Sequence, residues 1–431
     1  MTEQPIGTIA VHPRGFGFLD LDSGLGSAFV VPPDLNAFVA GDRVSAKLVT
    51  AADGRISATA LSLVERTQRE LYGPVVRRGG RLWLRVDRTI ANTDWGLEGA
   101  DALADGTLVV ALIARPQVAQ LTRVVAPVDA SLELVRVRHG LRTDYPALTT
   151  DLAEPSLVSL MGRQDLRELP TVTIDGPTSR DLDDAVAVLP AGKDGGLRVF
   201  VSIADVDAAV PAGSPVDLEA RARGTSVYLA GQVLNMRPPA LSEEALSLLP
   251  GVDRMTLTAE LRLDADGAVT AVDLYPSVIR SHARLSYSAV TAFLDHGDSG
   301  DIPPAVLPTL RWLRTASARL GAMRTARGGV ELLREEAYFT VDAGGEPTAI
   351  DVRADGSANV LVERLMVAAN EGVARWLVER GLPGMFRVHE EPDADTVNQL
   401  VESAHAFGFE LGLAEVGSTS CSFPRTCQGS R

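Results

Sequence analysis

Four carboxylates, Asp175, Asp181, Asp183 and Asp184, fall within ten residues of one another. Held that close at neutral pH they repel, and the repulsion is relieved either by protonating one of them or by binding a divalent cation. Oxygen donors alone suit magnesium or manganese rather than zinc. The alternating Asp-x-Asp-x-Asp-Gly spacing and closing Glu of an EF-hand loop are absent. The competing reading is a solvated acidic turn, which is what most Asp-rich loops are. The flanks weigh against it. Val172 and Ile174 read as the end of a buried strand, Gly176 and Pro177 as a turn, and Ala185 to Val188 as the next strand, so the carboxylates stand where two core elements meet.

The elements that must hold this cluster follow it in the chain. Residues 197–204 and 256–263 alternate apolar and polar side chains as half-buried strands do. Residues 305–326 and 357–380 carry helical patterns. In the second, Leu361, Leu365, Ala368, Val373, Trp376 and Leu377 share a face; Ser357 is expected to cap the start, and Gly381 to Pro383 to end it. The expected architecture is α+β, with a large mixed domain over residues 146–431.

Residues 1–65 have a different texture, short strands between turns, as in a small β-barrel. Phe16 and Phe18 share one strand face by the two-residue period, and Phe29 can join them from a neighbouring strand. With Arg14 and His12 beside them they make a platform on which bases can stack; the alternative is that the three rings are ordinary core. The Gly-Phe-Gly-Phe strand and the Phe-Val-x-Pro strand resemble the cold-shock type of OB-fold, which implies RNA contact through these aromatics. Residues 66–145 repeat the barrel texture without the paired phenylalanines and lead into a charged helical linker near Ser131 to Pro146. Arg77, Arg78, Arg81, Arg85 and Arg88 form a basic stretch there, suited either to a phosphate backbone or to plain solvation.

Composition sets outer bounds. With 431 residues, 45% hydrophobic and 23% charged, the chain has material for two to four packed domains and lies outside the range of disordered sequences. Both cysteines, Cys421 and Cys427, fall in the last eleven residues, which excludes a disulfide framework or a cysteine-ligated zinc site in the body. A net charge of −15 argues against a globally basic nucleic-acid binder and leaves such contact to local patches. Met1 to Pro5 has no signal-peptide character, and the longest apolar run, near Leu108–Ala114, is too short to span a bilayer. A cytoplasmic protein, with no membrane partner and acting as a monomer, is expected.

Further motifs line up in order behind the carboxylates: Ile203 to Val206, Arg223 to Leu229 (Arg-Gly-Thr-Ser-Val-Tyr-Leu), Pro250 to Arg254 (Pro-Gly-Val-Asp-Arg) and Ser277 to Arg284 (Ser-Val-Ile-Arg-Ser-His-Ala-Arg). Together they resemble the ribonuclease II/ribonuclease R family of exoribonucleases over nearly the whole chain, up to about Leu413. The two barrels are similar to that family's tandem cold-shock domains. The resemblance implies an RNB-type catalytic domain that hydrolyses single-stranded RNA from its 3′ end to 5′-mononucleotides with magnesium, manganese being the alternative. It implies Asp175 and Asp184 as the nearest metal ligands, Asp181 and Asp183 as completing the site, and Asp183 and Asp184 as catalytic. It implies that Tyr228 stacks near the scissile nucleotide and that Tyr287 and Glu363 grip the last bases. His282 and His389 are read as structural.

One departure is expected to matter. The family's domain normally continues into a Ser-Pro-Ile-Arg-Arg-Tyr type motif, whose arginine contacts the scissile phosphate, and then into a further OB-type domain. Here an aperiodic tail begins at about residue 416. The catalytic domain is thus expected to be incomplete at its C-terminus, and the alternative function is a catalytically impaired RNA-binding remnant.

Overall fold

The computed structural model describes residues 4–22, 24, 26–51, 54–66, 68–100, 102–126, 130–147, 161–192, 194–229, 232–329, 335–341, 347–354, 356–388 and 392–408. The aperiodic tail with Cys421 and Cys427, and His389, lie outside the described residues. Two compact units emerge. One comprises Met1–Asp144, Ala222–Met236 and Phe339–Ala349; the other comprises the described parts of Tyr145–Arg221, Arg237–Tyr338 and the chain from Ile350 on.

The first unit opens with a closed five-stranded barrel of β1 (Ile6–His12), β2 (Phe16–Leu21), β3 (Ser27–Val30), β4 (Arg43–Thr50) and β5 (Ile56–Glu65), with the short helix α1 (Pro32–Leu35) after β3. Its core is filled by Ile9, Leu19, Leu35, Val44 and Ala46. A second closed barrel follows, of β6 (Glu70–Arg78), β7 (Arg81–Leu84), β8 (Trp95–Glu98), β9 (Leu108–Arg115) and β10 (Val118–Val124). The linker forms helix α2 (Ala130–Arg138).

The two barrels share packing. Val39, from the first, belongs to the core cluster of the second, beside Trp95 and Leu84. Arg66 donates through Nε and a terminal nitrogen to the two carboxylate oxygens of the fully buried Asp42, at 2.9 and 2.5 Å, and its guanidinium lies 5.9 Å from the Trp95 ring. Such a fork holds direction as well as charge.

The second unit is built on a seven-stranded mixed sheet. Its strands are β11 (Gln164–Asp165), β12 (Val172–Asp175), β13 (Asp184–Ala191), β14 (Gly196–Ala204), β17 (Asp253–Leu263), β18 (Val269–Arg280) and β19 (Ala283–Ser286), in the order β11-β18-β17-β14-β13-β12-β19. Between β14 and β17 run the short helix α3 (Val206–Ala209), α4 (Pro215–Arg223) and the hairpin of β15 (Val227–Leu229) and β16 (Gln232–Leu234), then a single π-helical turn, Ala240–Ala245. The hairpin groups with the first unit.

One face of the sheet is covered by α5 (Tyr287–His296), α6 (Leu307–Ala326) and α7 (Ser357–Glu379), where Val186, Val199, Leu261, Leu310, Leu361 and Leu365 meet. Leu182, Ala185, Leu241, Leu248 and Ile279 form a second cluster. Strand β13 is therefore buried on both sides, which is why it reads as the unbroken apolar run Ala185 to Val188. A hairpin of β20 (Glu335–Val341) and β21 (Pro347–Ala354) precedes α7, and α8 (Ala394–Ala406) follows it.

Helix α7 corrects one expectation. Gly356, in extended backbone (φ −75°, ψ 166°), is its N-cap; Ser357 is already inside the helix and its buried hydroxyl has no hydrogen-bond partner. Gly381 ends the segment in left-handed backbone (φ +61°), as the Gly-Leu-Pro signal requires.

Candidate active site

The carboxylates occupy the loop joining two neighbouring antiparallel strands. Asp175 is the last residue of β12 and Asp184 the first of β13, so the sheet fixes both backbones. The loop between them is stapled from three sides. Leu182 is fully buried; its N–H donates to Ser247 Oγ at 3.2 Å, and its carbonyl accepts from Leu248 N at 2.9 Å. The Ser247 hydroxyl in turn donates to the Arg180 carbonyl at 2.6 Å. Arg284, leaving β19, donates to the carbonyls of Pro177 and Ser179 at 3.0 and 2.7 Å. Buried Arg254 holds the supporting segment, donating to the carbonyls of Ser247 and Glu244 at 2.8 and 2.9 Å. Each contact satisfies a backbone group that the loop would otherwise leave bare.

Electrostatics then act on a rigid frame. Burial, and the charges of Asp184, Asp181 and Asp183, push the Asp175 carboxyl up to about 7, against a partial opposing pull from Arg284. One of its carboxylate oxygens is buried with no hydrogen-bond partner. Asp184 is raised by burial and by Asp183. Asp183, although part of its surface reaches solvent, is raised by its packed surroundings and by Asp181, while Arg237 pulls it down. Asp181, Asp183 and Asp184 thus all act on Asp175.

An orphaned carboxylate oxygen amid like charges fits a hard divalent cation. Among the described residues no three acidic, histidine or cysteine side chains converge into a closed ligand set. That open arrangement still suits a small hard cation, which takes one or two carboxylates and keeps water and substrate oxygens for the rest.

The remaining expected site residues fall in separate places. Tyr287 is the first residue of α5, directly after Ser286, which pairs with Asp175 across the parallel β12–β19 ladder. Glu363 lies on an exposed face of α7, 3.7 Å from Arg324 on α6. Tyr228, 67% exposed, projects from the β15–β16 hairpin in the first unit. Arg223 ties that hairpin to the linker, donating to the carbonyls of Arg142 and Asp144 at 2.7 and 2.6 Å.

On the first barrel Phe16, Phe18 and Phe29 form a triangle with ring centroids 5.7 to 6.0 Å apart, and His12 stacks on Phe16 at 4.3 Å. None of them belongs to the barrel core; Phe18 is 36% exposed and Arg14 is exposed beside them. Gly17 between the two rings is required, because a Cβ there would stand 2.9 Å from the Leu35 side chain of α1.

The basic stretch of the second barrel is mostly spent internally. Arg78 and Arg88 both pair with the buried Asp94 at 2.7 Å, and Arg77 donates to the Leu103 carbonyl. Sequence reasoning passed over Ser247 and Arg237. Ser247 carried no signal of its own, and Arg237 sits in an irregular stretch with no periodicity.

The family described as RNB domain matches residues 163–425, and Ribonuclease B OB domain matches residues 7–61. Ribonuclease R of Aquifex aeolicus is 31% identical over 94% of the chain, and Ribonuclease R of Thermotoga maritima is 40% identical over 58%. The chain spans 59% of the Aquifex protein and 35% of the Thermotoga protein. Among solved structures, Mycoplasma genitalium RNase R in complex with ribose methylated single-stranded RNA aligns with a TM-score of 0.80 at 24% identity, covering 94% of this chain and 66% of that one. Yeast Ssd1, a pseudonuclease, aligns at 0.66 with 16% identity, covering 95% of this chain and 59% of its own, so the fold alone does not decide activity. With the RNB match over more than half its length and two OB-type barrels ahead of it, the chain belongs to the RNB family.

Proposed function

We propose that this chain is a magnesium-dependent exoribonuclease that removes 5′-mononucleotides from the 3′ end of single-stranded RNA. The observation that carries the reading is Asp175: a carboxylate with a buried, unpartnered oxygen, pushed up to about 7 by burial and three acidic neighbours. A residue left in that condition is matched to a cation. Asp175 and Asp184 are the nearest ligands in this reading, with Asp181 and Asp183 reaching the same site directly or through water. When bound, the divalent ions would ease deprotonation of the attacking water and stabilise charge on the departing 3′ oxygen. The protein's own part is positioning. Ser247, Leu248 and Arg284 keep the carboxylate loop fixed, and Tyr287, one residue beyond the Asp175 partner Ser286, orients the terminal nucleotide. By the family resemblance, Tyr228 and Glu363 contact RNA as well.

The phenylalanine triangle with His12 and Arg14 supplies a second RNA contact by stacking. What supports the single-strand preference is the need of a stacking platform for bases whose faces are not already paired and stacked in a duplex. A cytoplasmic, monomeric enzyme belongs to the same proposal and rests on the family. Among the described residues no helix is long and apolar enough to cross a membrane.

The test is incubation of 5′-labelled linear RNA with magnesium, alongside a circular RNA of the same sequence. A ladder shortened from the 3′ end, with the circle untouched, is expected. Equal loss of both forms would exclude an exonuclease.

A further inference from the structure

Three arginines border the carboxylate loop, and two of them are engaged. Arg284 is held by the carbonyls of Pro177 and Ser179, and Arg180 pairs with Glu243 at 3.4 Å. Arg237 differs. Its Nε is buried with no hydrogen-bond partner, and among the described residues no hydrogen bond or ion pair holds its guanidinium. It is nevertheless within electrostatic reach of Asp183.

Arg237 is also well anchored by its surroundings. It immediately precedes Pro238, whose carbonyl accepts from Leu241 and Ser242 to start the π-helical turn. That turn leads directly to Ser247 and Leu248, the residues stapled to the loop at Arg180 and Leu182. The segment bearing the guanidinium and the loop bearing the carboxylates therefore form one packed piece.

A buried donor left unmade is unusual, because protein interiors pair nearly all such groups. A planar cation with unmade donors, set against a site for acidic and phosphate chemistry, matches the two non-bridging oxygens of a phosphodiester. We infer that Arg237 turns onto the scissile phosphate when RNA enters and is a catalytic residue of this chain, donating to the non-bridging oxygens as negative charge builds on them. The assignment rests on the nuclease reading above. A lysine there would supply charge without the fork, and a glutamine a donor without the charge.

The experiment compares the full chain with Arg237→Leu, Arg237→Gln and Arg237→Lys in two assays. In single-turnover cleavage of 5′-labelled single-stranded RNA with magnesium, Arg237→Leu and Arg237→Gln should lower the rate about 100- to 1000-fold, with KM moving less than about threefold. Arg237→Lys should fall between, and added guanidinium ion should restore part of the Arg237→Leu rate. In the second assay, RNA affinity is followed against salt in magnesium-free buffer. Loss of one phosphate contact should shallow the logarithmic slope by about 0.7, which a purely structural role would not do. Should the parent chain cleave nothing, the nuclease reading fails while the salt slope still decides Arg237. Unchanged cleavage together with an unchanged slope in Arg237→Gln, in a protein that melts like the parent, overturns the assignment.

Discussion

Asp175 and Ser286 stand opposite each other in the parallel ladder that joins β12 to β19. Ser286 is also the N-cap of α5, its hydroxyl accepting from Ala289 N at 3.2 Å. One backbone pairing thus fixes both the carboxylate with the most perturbed environment in the loop and the first residue of the helix, Tyr287. Asp175 and Tyr287 are set by the same register, and a slip of one residue would displace both.

Removing the charge at Asp184 should separate chemistry from binding. Asp184→Asn is expected to lower turnover by at least about 100-fold while RNA affinity stays within a few-fold, since in the proposed mechanism the carboxylate serves the transition state and not uniform binding. Single-turnover cleavage and a binding isotherm on the same RNA check it. Near-normal turnover would remove Asp184 from the mechanism.

Asp175 makes stability depend on pH in a defined direction. Its folded-state value, about 7, lies above the ordinary carboxylate value of 3.8, so the folded chain holds a proton that the unfolded chain has lost between those two values. Its contribution is complete below about pH 4 and is lost as pH rises through 7. In magnesium-free buffer, Asp175→Asn should therefore melt several degrees above the parent at pH 8 and close to it at pH 4. Melting curves at the two pH values, repeated with magnesium, check this; a uniform shift at both would refute it.

The phenylalanine triangle should be separable from barrel stability. Phe18→Ala is expected to weaken single-stranded RNA binding about 5- to 100-fold, the range for one stacked base, with little change in melting. Leu19→Ala, one residue away but fully buried in the core, should instead cost about 2–5 kcal/mol of stability. Paired binding and melting measurements distinguish them, and a barrel that unfolds in both variants would return Phe18 to the core.

Ser247→Ala tests the staple. It leaves the Leu182 N–H without its acceptor and the Arg180 carbonyl without its donor, at a cost of about 1–3 kcal/mol for a buried unmade bond. Turnover should drop about 10- to 100-fold through misplacement of the carboxylates, while RNA affinity holds. If kcat is untouched, the loop is rigid without this hydroxyl.

What the sequence revealed divides by distance along the chain. The aspartates and the Phe16, Phe18 pair are local patterns: in the fold three of the carboxylates act on Asp175, and the rings form a triangle outside the barrel core. The capping of α7 misled because a glycine in extended backbone took the boundary one residue before the serine that propensity favours. The arginine stretch of the second barrel read either as a track for a phosphate backbone or as solvated surface, yet Arg78 and Arg88 converge on Asp94, a buried partner whose role only the folded barrel reveals. Arg237 lacked any period or motif, and its unmade donor exists only once Pro238 and the π-helical turn fold beside it.

The fork of Arg66 on Asp42, leaning toward Trp95, bears on modularity. Two closed barrels in series suggest beads that could be exchanged, deleted or re-spaced. Here the second bead's interior includes Val39 of the first, and the strap between them is a charged side chain whose partner is wholly enclosed. Cutting the chain between the barrels would strand Asp42 as an uncompensated charge and bare one wall of the second core. The exchangeable cassette is therefore the pair, and a chimera that grafts either barrel alone must carry Val39, Asp42, Arg66 and Trp95 across together.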